Sequence, residues 1–296
     1  DSMSMRDAGW IQLFAETNQE AADLHIQAFK LAEELSVPVM VCMDGFILTH
    51  AYERVDIPEQ ATVDKYLPPF EPRQVLDPAN PYSIGAMVGP EAFTEVRYLA
   101  HDRQICALEV IPRIADEFKA LFGRDSGGLI HTYLTEDAET IVVTLGSVAG
   151  TVKDTVDLMR ENGTRIGVVS ICSFRPFPKD QIRAVLEQAK RVVVLEKSFA
   201  LGFGGIVANN VMMSMQRTGV HVYTAVAGLG GRPIIRTSLT ALFEKAGRDE
   251  LEDVHFLDLD WEVVNRELDR ARESITSGPT AENILRDLGP GVAKAV

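Results

Sequence analysis

Cysteine is sparse in this chain and falls into no pattern. Cys42, Cys106 and Cys172 lie far apart, are odd in number, and include no Cys-x-x-Cys pair. That spacing excludes a disulfide framework and supplies no iron–sulfur cluster by the usual ligand patterns. Two of the three sit in apolar, strand-like runs, where a thiol behaves as a small hydrophobe. The chain therefore reads as reduced and intracellular, and cytoplasmic is the expected location. Long hydrophobic runs are also missing. Segments such as Arg191–Leu195 have strand length, far short of the roughly 20 apolar residues that span a bilayer, and the expectation is of a chain without a signal peptide. Positive charge is in deficit, 29 Lys and Arg against 43 Asp and Glu, for a net charge of −14. This disfavours nucleic acid, whose phosphates need a basic surface, and disfavours anionic membranes. Solubility is the plainer role for such a charge. No His/Asp/Glu grouping has metal-ligand spacing, and no serine lies in a Gly-x-Ser-x-Gly elbow.

What is present is a globular composition, 46% hydrophobic and 24% charged over 296 residues, enough for about two domains. Thr17-Asn18-Gln19-Glu20 has the form of a capping box, with the Thr17 hydroxyl and Glu20 carboxylate satisfying each other's amides. The helix it opens runs to about Leu35, with Leu24, Ala28, Leu31 and Leu35 on one face. Val37–Met43 is a continuous apolar run, the pattern of a parallel strand buried on both faces, and it ends at the turn pair Asp44-Gly45. Prolines 58, 68, 69, 72, 78 and 81 then rule out long regular elements. The stretch 51–81 is expected as an extended arm docked by Tyr66, Leu67 and Phe70. A helix over about 91–122, capped by Gly123, closes this first region at about residue 125.

From 126 to 250, strands at 140–145, 165–171, 191–195 and 220–223 alternate with helices at 151–162, 178–190, 205–216 and 237–245. That rhythm predicts an α/β domain with a doubly wound parallel sheet. An acidic tail, 251–296, is expected to be helical over Trp261–Ser274 and, around Gly278-Pro279 and Gly289-Pro290, to wrap a neighbour or fray.

Two sets of motifs carry a resemblance. The first is Met3–Gln12, Asn18–Asp23, Val37–Val41 and Asp44-Gly45-Phe46-Ile47-Leu48-Thr49-His50. The second is Leu145-Gly146-Ser147, Arg175-Pro176-Phe177-Pro178, Glu196-Lys197 with Gly202–Gly205, and Gly228–Arg232. Together, over about residues 3–250, they resemble the α subunit of the pyruvate:ferredoxin oxidoreductase (2-oxoacid:acceptor oxidoreductase) family. The resemblance implies part of a thiamine-binding, pyrimidine-type domain followed by a transketolase C-terminal-like domain. It also implies oxidative decarboxylation of a 2-oxoacid, pyruvate by default, to acyl-CoA. Implied cofactors are thiamine diphosphate with Mg2+, mainly on a partner chain, and coenzyme A as co-substrate. Iron–sulfur clusters would sit on other subunits. The implied partners are β, γ and δ type subunits and ferredoxin or a similar acceptor.

In that family an arginine at the place of Arg6 pairs with the 2-oxoacid carboxylate, which suits a guanidinium fork meeting a planar anion. The alternative for Arg6 is a solvated loop arginine paired with Asp7. Thr49 and His50 lie past the carboxyl end of a strand and divide evenly between lining the pocket and holding a loop. Asp44 reads as a turn residue. The glycine runs suit a phosphate cradle or, more simply, tight turns and close packing. Arg175 reads as a rigid arginine at a domain or subunit contact. One departure stands out: the glutamate that activates thiamine lies upstream of the Arg6 motif in the family and has no counterpart after Asp1. The expectation is that a longer parent or a separate polypeptide supplies that half-domain. A transketolase-like or lipoamide-linked thiamine enzyme, and a non-catalytic assembly subunit, remain as other readings.

Overall fold

The computed structural model describes residues 1–85, 87–273 and 280–289. The short strand β1 (Ile11–Phe14) leads into helix α1 (Asn18–Leu35), which begins where the Thr17 hydroxyl accepts the Glu20 amide at 3.1 Å. The reciprocal bond is displaced by one residue from the expected capping box. Glu20 Oε2 accepts from the Glu16 amide at 2.7 Å, because Glu20 is drawn into a buried cluster beyond the helix end. Leu24, Ala28, Leu31 and Leu35 are all buried, as their spacing requires. Strand β2 (Val39–Cys42) pairs parallel to β1, with Ile11 opposite Val39 and Phe14 opposite Cys42. The expectation of burial on both faces is corrected here. Only Cys42 is buried and Val39 to Val41 are half-exposed, because β2 is an outer strand of a three-stranded sheet.

After the single turn α2 (Ile47–His50), the proline arm is largely extended but carries one helix, α3 (Gln60–Tyr66). Tyr66 is buried and its hydroxyl donates to the Ile114 carbonyl at 2.9 Å, while Leu67 is half-buried. Phe70, expected as a third anchor, is exposed: it lies past the helix end between Pro69 and Pro72, where no turn brings it back. Helix α4 (Phe93–Phe122) ends at Gly123, whose φ of 71° lets its amide return to the Lys119 carbonyl. Ala107, Ile111, Ile114 and Phe118 pack with α1 and the Ile11 and Leu13 face of β1, whereas residues 93–103 are all exposed.

The larger sheet is built from β3 (Ile130–Tyr133), β4 (Thr140–Thr144), β5 (Ile166–Ile171), β7 (Arg191–Glu196), β8 (His221–Val226) and β9 (Val254–Phe256), in the order β3-β5-β4-β7-β8-β9. Its neighbours pair parallel except β3, which is antiparallel to β5. Helices α5 (Val148–Glu161) and α8 (Arg236–Gly247) cover one face over Val142, Val193 and Ala225. Helices α6 (Lys179–Leu186) and α7 (Ile206–Ser214) cover the other over Ile141, Val143 and Val194. The sheet is thus doubly wound, with the antiparallel β3 added at its rim. One single residue after β5, strand β6 (Ser173–Arg175) leaves this sheet and pairs antiparallel to β1, with Leu13 opposite Ser173 and Gln12 opposite Arg175. The smaller sheet therefore reads β2-β1-β6.

Asp1–Leu257 form one compact unit, and a second begins at Asp258. The second holds α9 (Trp261–Glu273) and α10 (Thr280–Leu288), where Arg270 bonds Glu267 and Asp287 at 2.7 Å each. Ser274, Gly278, Pro279 and Pro290, on which the expected behaviour of the tail rests, lie outside the described residues. No helix among the described residues is long and apolar enough to cross a membrane.

Candidate functional site

A turn of 3-10 helix over Ser2–Met5 sets Arg6 just ahead of β1. Arg6 Nη1 donates to the Met3 carbonyl at 2.8 Å and Nε lies 3.5 Å from Asp7 Oδ2, with the side chain 32% exposed. From β6, Arg175 holds this segment in place. Its Nε donates to the Arg6 carbonyl at 3.2 Å and its Nη1 to the Phe174 carbonyl and Asn210 Oδ1, at 2.8 and 3.1 Å. Burial lowers the pKa of Arg175 against the opposing pull of Asp7. Arg175 thus ties the segment before β1 to helix α7, and in doing so fixes the main chain at Arg6. In this chain the Arg6 guanidinium meets Asp7, the partner weighed as its alternative, and, being 32% exposed, it could exchange that carboxylate for a small planar anion.

Thr49 and His50 lie elsewhere. They follow β2, while Arg6 precedes β1, and these strands run parallel, so the two sets sit at opposite ends of the pair. Thr49 Oγ1 accepts the Phe46 amide at 3.0 Å and bonds His50 Nδ1 at 2.8 Å. Phe46 holds φ at 69°, a strained conformation for an aromatic residue. Its ring lies 5.2 Å from that of His50 and close against Gly231. The base of this loop is latched by Asp44. Its Oδ1 accepts the Ser147 amide at 3.0 Å, and its Oδ2 accepts the Ser147 hydroxyl and, at 2.6 Å, Lys197 Nζ. Burial alone would raise the Asp44 pKa, but Lys197 and Ser147 outweigh it and hold the carboxyl below its ordinary value. Ser147 and Lys197 were visible only as parts of motifs. Their partner lies more than a hundred residues upstream, so no local pattern marks the latch.

The first turn of α7, just past the glycine run at 202–205, holds an anion that the chain itself provides. The Glu196 carboxylate accepts the amides of Ile206, Val207 and Ala208 at 2.9, 2.8 and 3.0 Å, and the Ser198 hydroxyl at 2.8 Å. It occupies the place at the α7 N-terminus where an external phosphate would sit. Gly205 is required for this, since a Cβ there would lie 2.1 Å from Glu196 Oε1. Gly205→Ala is expected to destabilise the protein by about 2 kcal/mol through overpacking. Gly202→Ala meets open space and should cost only the strain of its left-handed backbone, about 1 kcal/mol. Thermal melts followed by circular dichroism would check the order, and equal effects would refute this account of the run.

Sequence reading also missed a buried ionic cluster. His131 on β3 is hydrogen-bonded by Nδ1 to Glu16 Oε1 at 2.8 Å and by Nε2 to the Gly127 carbonyl at 2.7 Å. Glu16 Oε2 also accepts Lys153 Nζ of α5 at 2.7 Å, and Glu20 Oε1 accepts the Gly127 amide at 3.1 Å. Both ring nitrogens face acceptors, so both bonds exist only for the imidazolium. Burial opposes that charge, but Glu16, Glu20 and the Gly127 carbonyl outweigh it and raise the His131 pKa to about 9. Burial likewise works against ionised Glu16, yet His131 and Lys153 bring it down to about 2. Glu16, Glu20 and His131 are close enough together to be weighed as a metal site. They do not fit magnesium, which requires near-octahedral oxygen ligands. An ammonium and a ring proton already occupy the cation positions.

Comparison with known proteins accords with both halves of this architecture. Residues 1–114 match the family described as pyruvate flavodoxin/ferredoxin oxidoreductase, thiamine diP-bdg, and 138–238 match pyruvate:ferredoxin oxidoreductase core domain II. The pyruvate synthase subunit PorA of Methanosarcina barkeri is 44% identical over 83% of this chain and 62% of its own length. For PorA of Pyrococcus furiosus the figures are 38%, 89% and 69%. The ketoisovalerate oxidoreductase subunit VorA of Pyrococcus horikoshii is 38% identical over 82% of this chain and 63% of its own. The chain spans about 62 to 65% of the length of the first of these curated relatives. A 2-oxoglutarate:ferredoxin oxidoreductase from Magnetococcus marinus, solved with 2-oxoglutarate, coenzyme A and succinyl-CoA bound, shares the fold. Its TM-score is 0.54 at 16% identity, covering 80% of this chain and 42% of that one. With identities of this size running through both matched regions, the chain belongs to the pyruvate:ferredoxin oxidoreductase family.

Proposed function

We propose that this chain acts as the α-type subunit of a thiamine-diphosphate-dependent 2-oxoacid:ferredoxin oxidoreductase, with pyruvate as the default substrate. The observation that carries this reading is the 38% identity that extends over 69% of PorA from Pyrococcus furiosus. In the assembled complex the 2-oxoacid is decarboxylated and oxidised to its acyl-CoA, and two electrons pass to ferredoxin. Thiamine diphosphate supplies the electron sink for that decarboxylation. Magnesium and iron–sulfur clusters belong to partner chains of β, γ and δ type. This chain's own contribution is Arg6, which takes the substrate carboxylate with two parallel hydrogen bonds and orients the ketone. Support for that role comes from the Met3 carbonyl holding the Arg6 side chain and Arg175 holding its main chain, while the side chain stays 32% exposed. The substrate carboxylate would take the place of Asp7 at the guanidinium. Thr49 and His50, at the opposite end of the β1–β2 pair from Arg6, take no part in that carboxylate contact in this reading and hold their own loop instead.

Branched substrates compete with pyruvate in this reading, since VorA relatives match nearly as well as PorA. The complex purified with its native partners is expected to reduce ferredoxin with pyruvate and coenzyme A faster than with ketoisovalerate. Absence of coenzyme-A-dependent reduction with any 2-oxoacid, in a complex that contains iron and binds thiamine diphosphate, would leave the assembly-subunit reading standing instead.

A further inference from the structure

A cleft of about 100 Å³ opens at the carboxyl ends of β4, β7 and β8, covered by the loop that follows β2. Phe46, Ile47 and Ile234 give it apolar walls, Lys197 and Arg232 line it with positive charge, and Thr151 adds a hydroxyl. Its position follows from topology. Strand β4 has β5 on one side and β7 on the other, so the connection through α5 leaves in one direction and the chain returns through α6 in the other. Crevices at such switch points are where open α/β sheets place ligands. The start of α5 also faces this cleft through Ser147 and Val148, and adds the partial positive charge of a helix N-terminus.

Asp44 already behaves here as an internal oxyanion, taking the Ser147 amide, the Ser147 hydroxyl and Lys197 at the cleft's edge. We propose that the cleft binds a small organic oxyanion, a phosphate ester of modest size, which competes with Asp44 for Lys197. Its charged end meets Lys197 and Arg232, and its carbon portion lies against Phe46, Ile47 and Ile234. Drawing Lys197 away from Asp44 removes one strand of the latch on the loop that carries strained Phe46, Thr49 and His50. Occupancy of the cleft is thereby coupled to the conformation of that loop. None of this depends on the role assigned to Arg6.

The test is calorimetric titration of the natively assembled protein with inorganic phosphate and with phenyl phosphate, against sodium chloride at matched ionic strength. Phenyl phosphate is expected to bind more tightly than inorganic phosphate, because only it uses the apolar walls. Asp44→Asn keeps an acceptor for the Ser147 amide but removes the competing charge, and should tighten both ligands by about tenfold. Lys197→Met should weaken both by about tenfold or more, the equivalent of one charge-assisted hydrogen bond. No binding above the chloride control, or a folded Lys197→Met protein with unchanged affinity, overturns the proposal. If Lys197→Met does not fold, Asp44→Asn decides alone: weaker or unchanged binding in that variant is equally fatal. A merely structural latch would not make its own removal tighten a ligand.

Discussion

Arg6→Lys in the assembled complex is expected to lower kcat/KM for pyruvate by roughly 100-fold, with most of the loss in KM. Lysine keeps the charge but offers a point in place of a fork, so one of two charge-assisted hydrogen bonds to the carboxylate disappears. Such bonds are each worth roughly 1.5–3 kcal/mol. Arg6→Gln, which also removes the charge, should lower it by roughly a further tenfold. The main chain at this point is held independently by Arg175 through the Arg6 carbonyl, so neither change should disturb the fold. An unaltered melting temperature is therefore part of the expected result. Kinetics of Arg6→Lys equal to those of the parent would remove this arginine from the substrate site. A loss confined to kcat would say that it acts on the bound intermediate and does not anchor the free acid.

The second large effect concerns the cluster of Glu16, Glu20, His131 and Lys153. Glu16→Gln strips the charge partner from a part-buried imidazolium and ammonium together, and should destabilise the protein by roughly 3 kcal/mol. The pH dependence has a definite sign. His131 carries a raised pKa of about 9, so its contribution is whole below the unfolded value of 6.5 and is lost as pH rises through about 9. Glu16 is depressed to about 2, so its contribution is whole above 4.5 and is lost as pH falls toward 2. Glu20 works the other way: burial raises its pKa, with His131 and backbone amides opposing, and its ionisation costs stability as pH increases. Urea denaturation across pH 4 to 10 should show stability falling on the alkaline side, with that fall much reduced in His131→Gln. A flat alkaline limb in the parent protein would mean that His131 is not the imidazolium described here.

Much of the architecture was readable because each principal element is long and periodic. The valine-rich strands β4, β5 and β7 are buried on both faces and show it in continuous apolar runs such as Ile141–Val143 and Val192–Leu195, and α1 declares its start at Thr17 and its inner face at Leu24 and Leu31. What escaped notice were the strands β1, β3, β6 and β9, runs of three or four residues too short to have a period, and the seven-residue helix α3 inside the proline arm. Ser173–Arg175 in particular reads as the continuation of β5, since nothing local tells the chain to change sheets at Cys172. The site was legible in part for the same reason. The Asp44-Gly45 turn, Arg6 and the glycine runs are local signals. The contacts that give them meaning, Asp44 with Lys197, Arg175 with the Arg6 carbonyl and Glu16 with His131, join residues far apart in sequence. The Glu196 carboxylate at the start of α7 had a faint signal, an acidic residue ending a strand before a glycine-rich turn.

Strand β6 carries a consequence for how the protein comes into being. Leu13 finds its antiparallel neighbour only in Ser173, so β1 lacks one flank until the first part of the larger sheet has been synthesised. Ribosomes add roughly 5–20 residues per second, which leaves the apolar Ile11–Phe14 edge waiting for many seconds with only β2 beside it. Distant pairings of this kind slow folding and prolong the exposure of sticky edges. The nascent amino-terminal region is thus a natural client for chaperones, and its maturation is tied to the arrival of a three-residue segment from the other half.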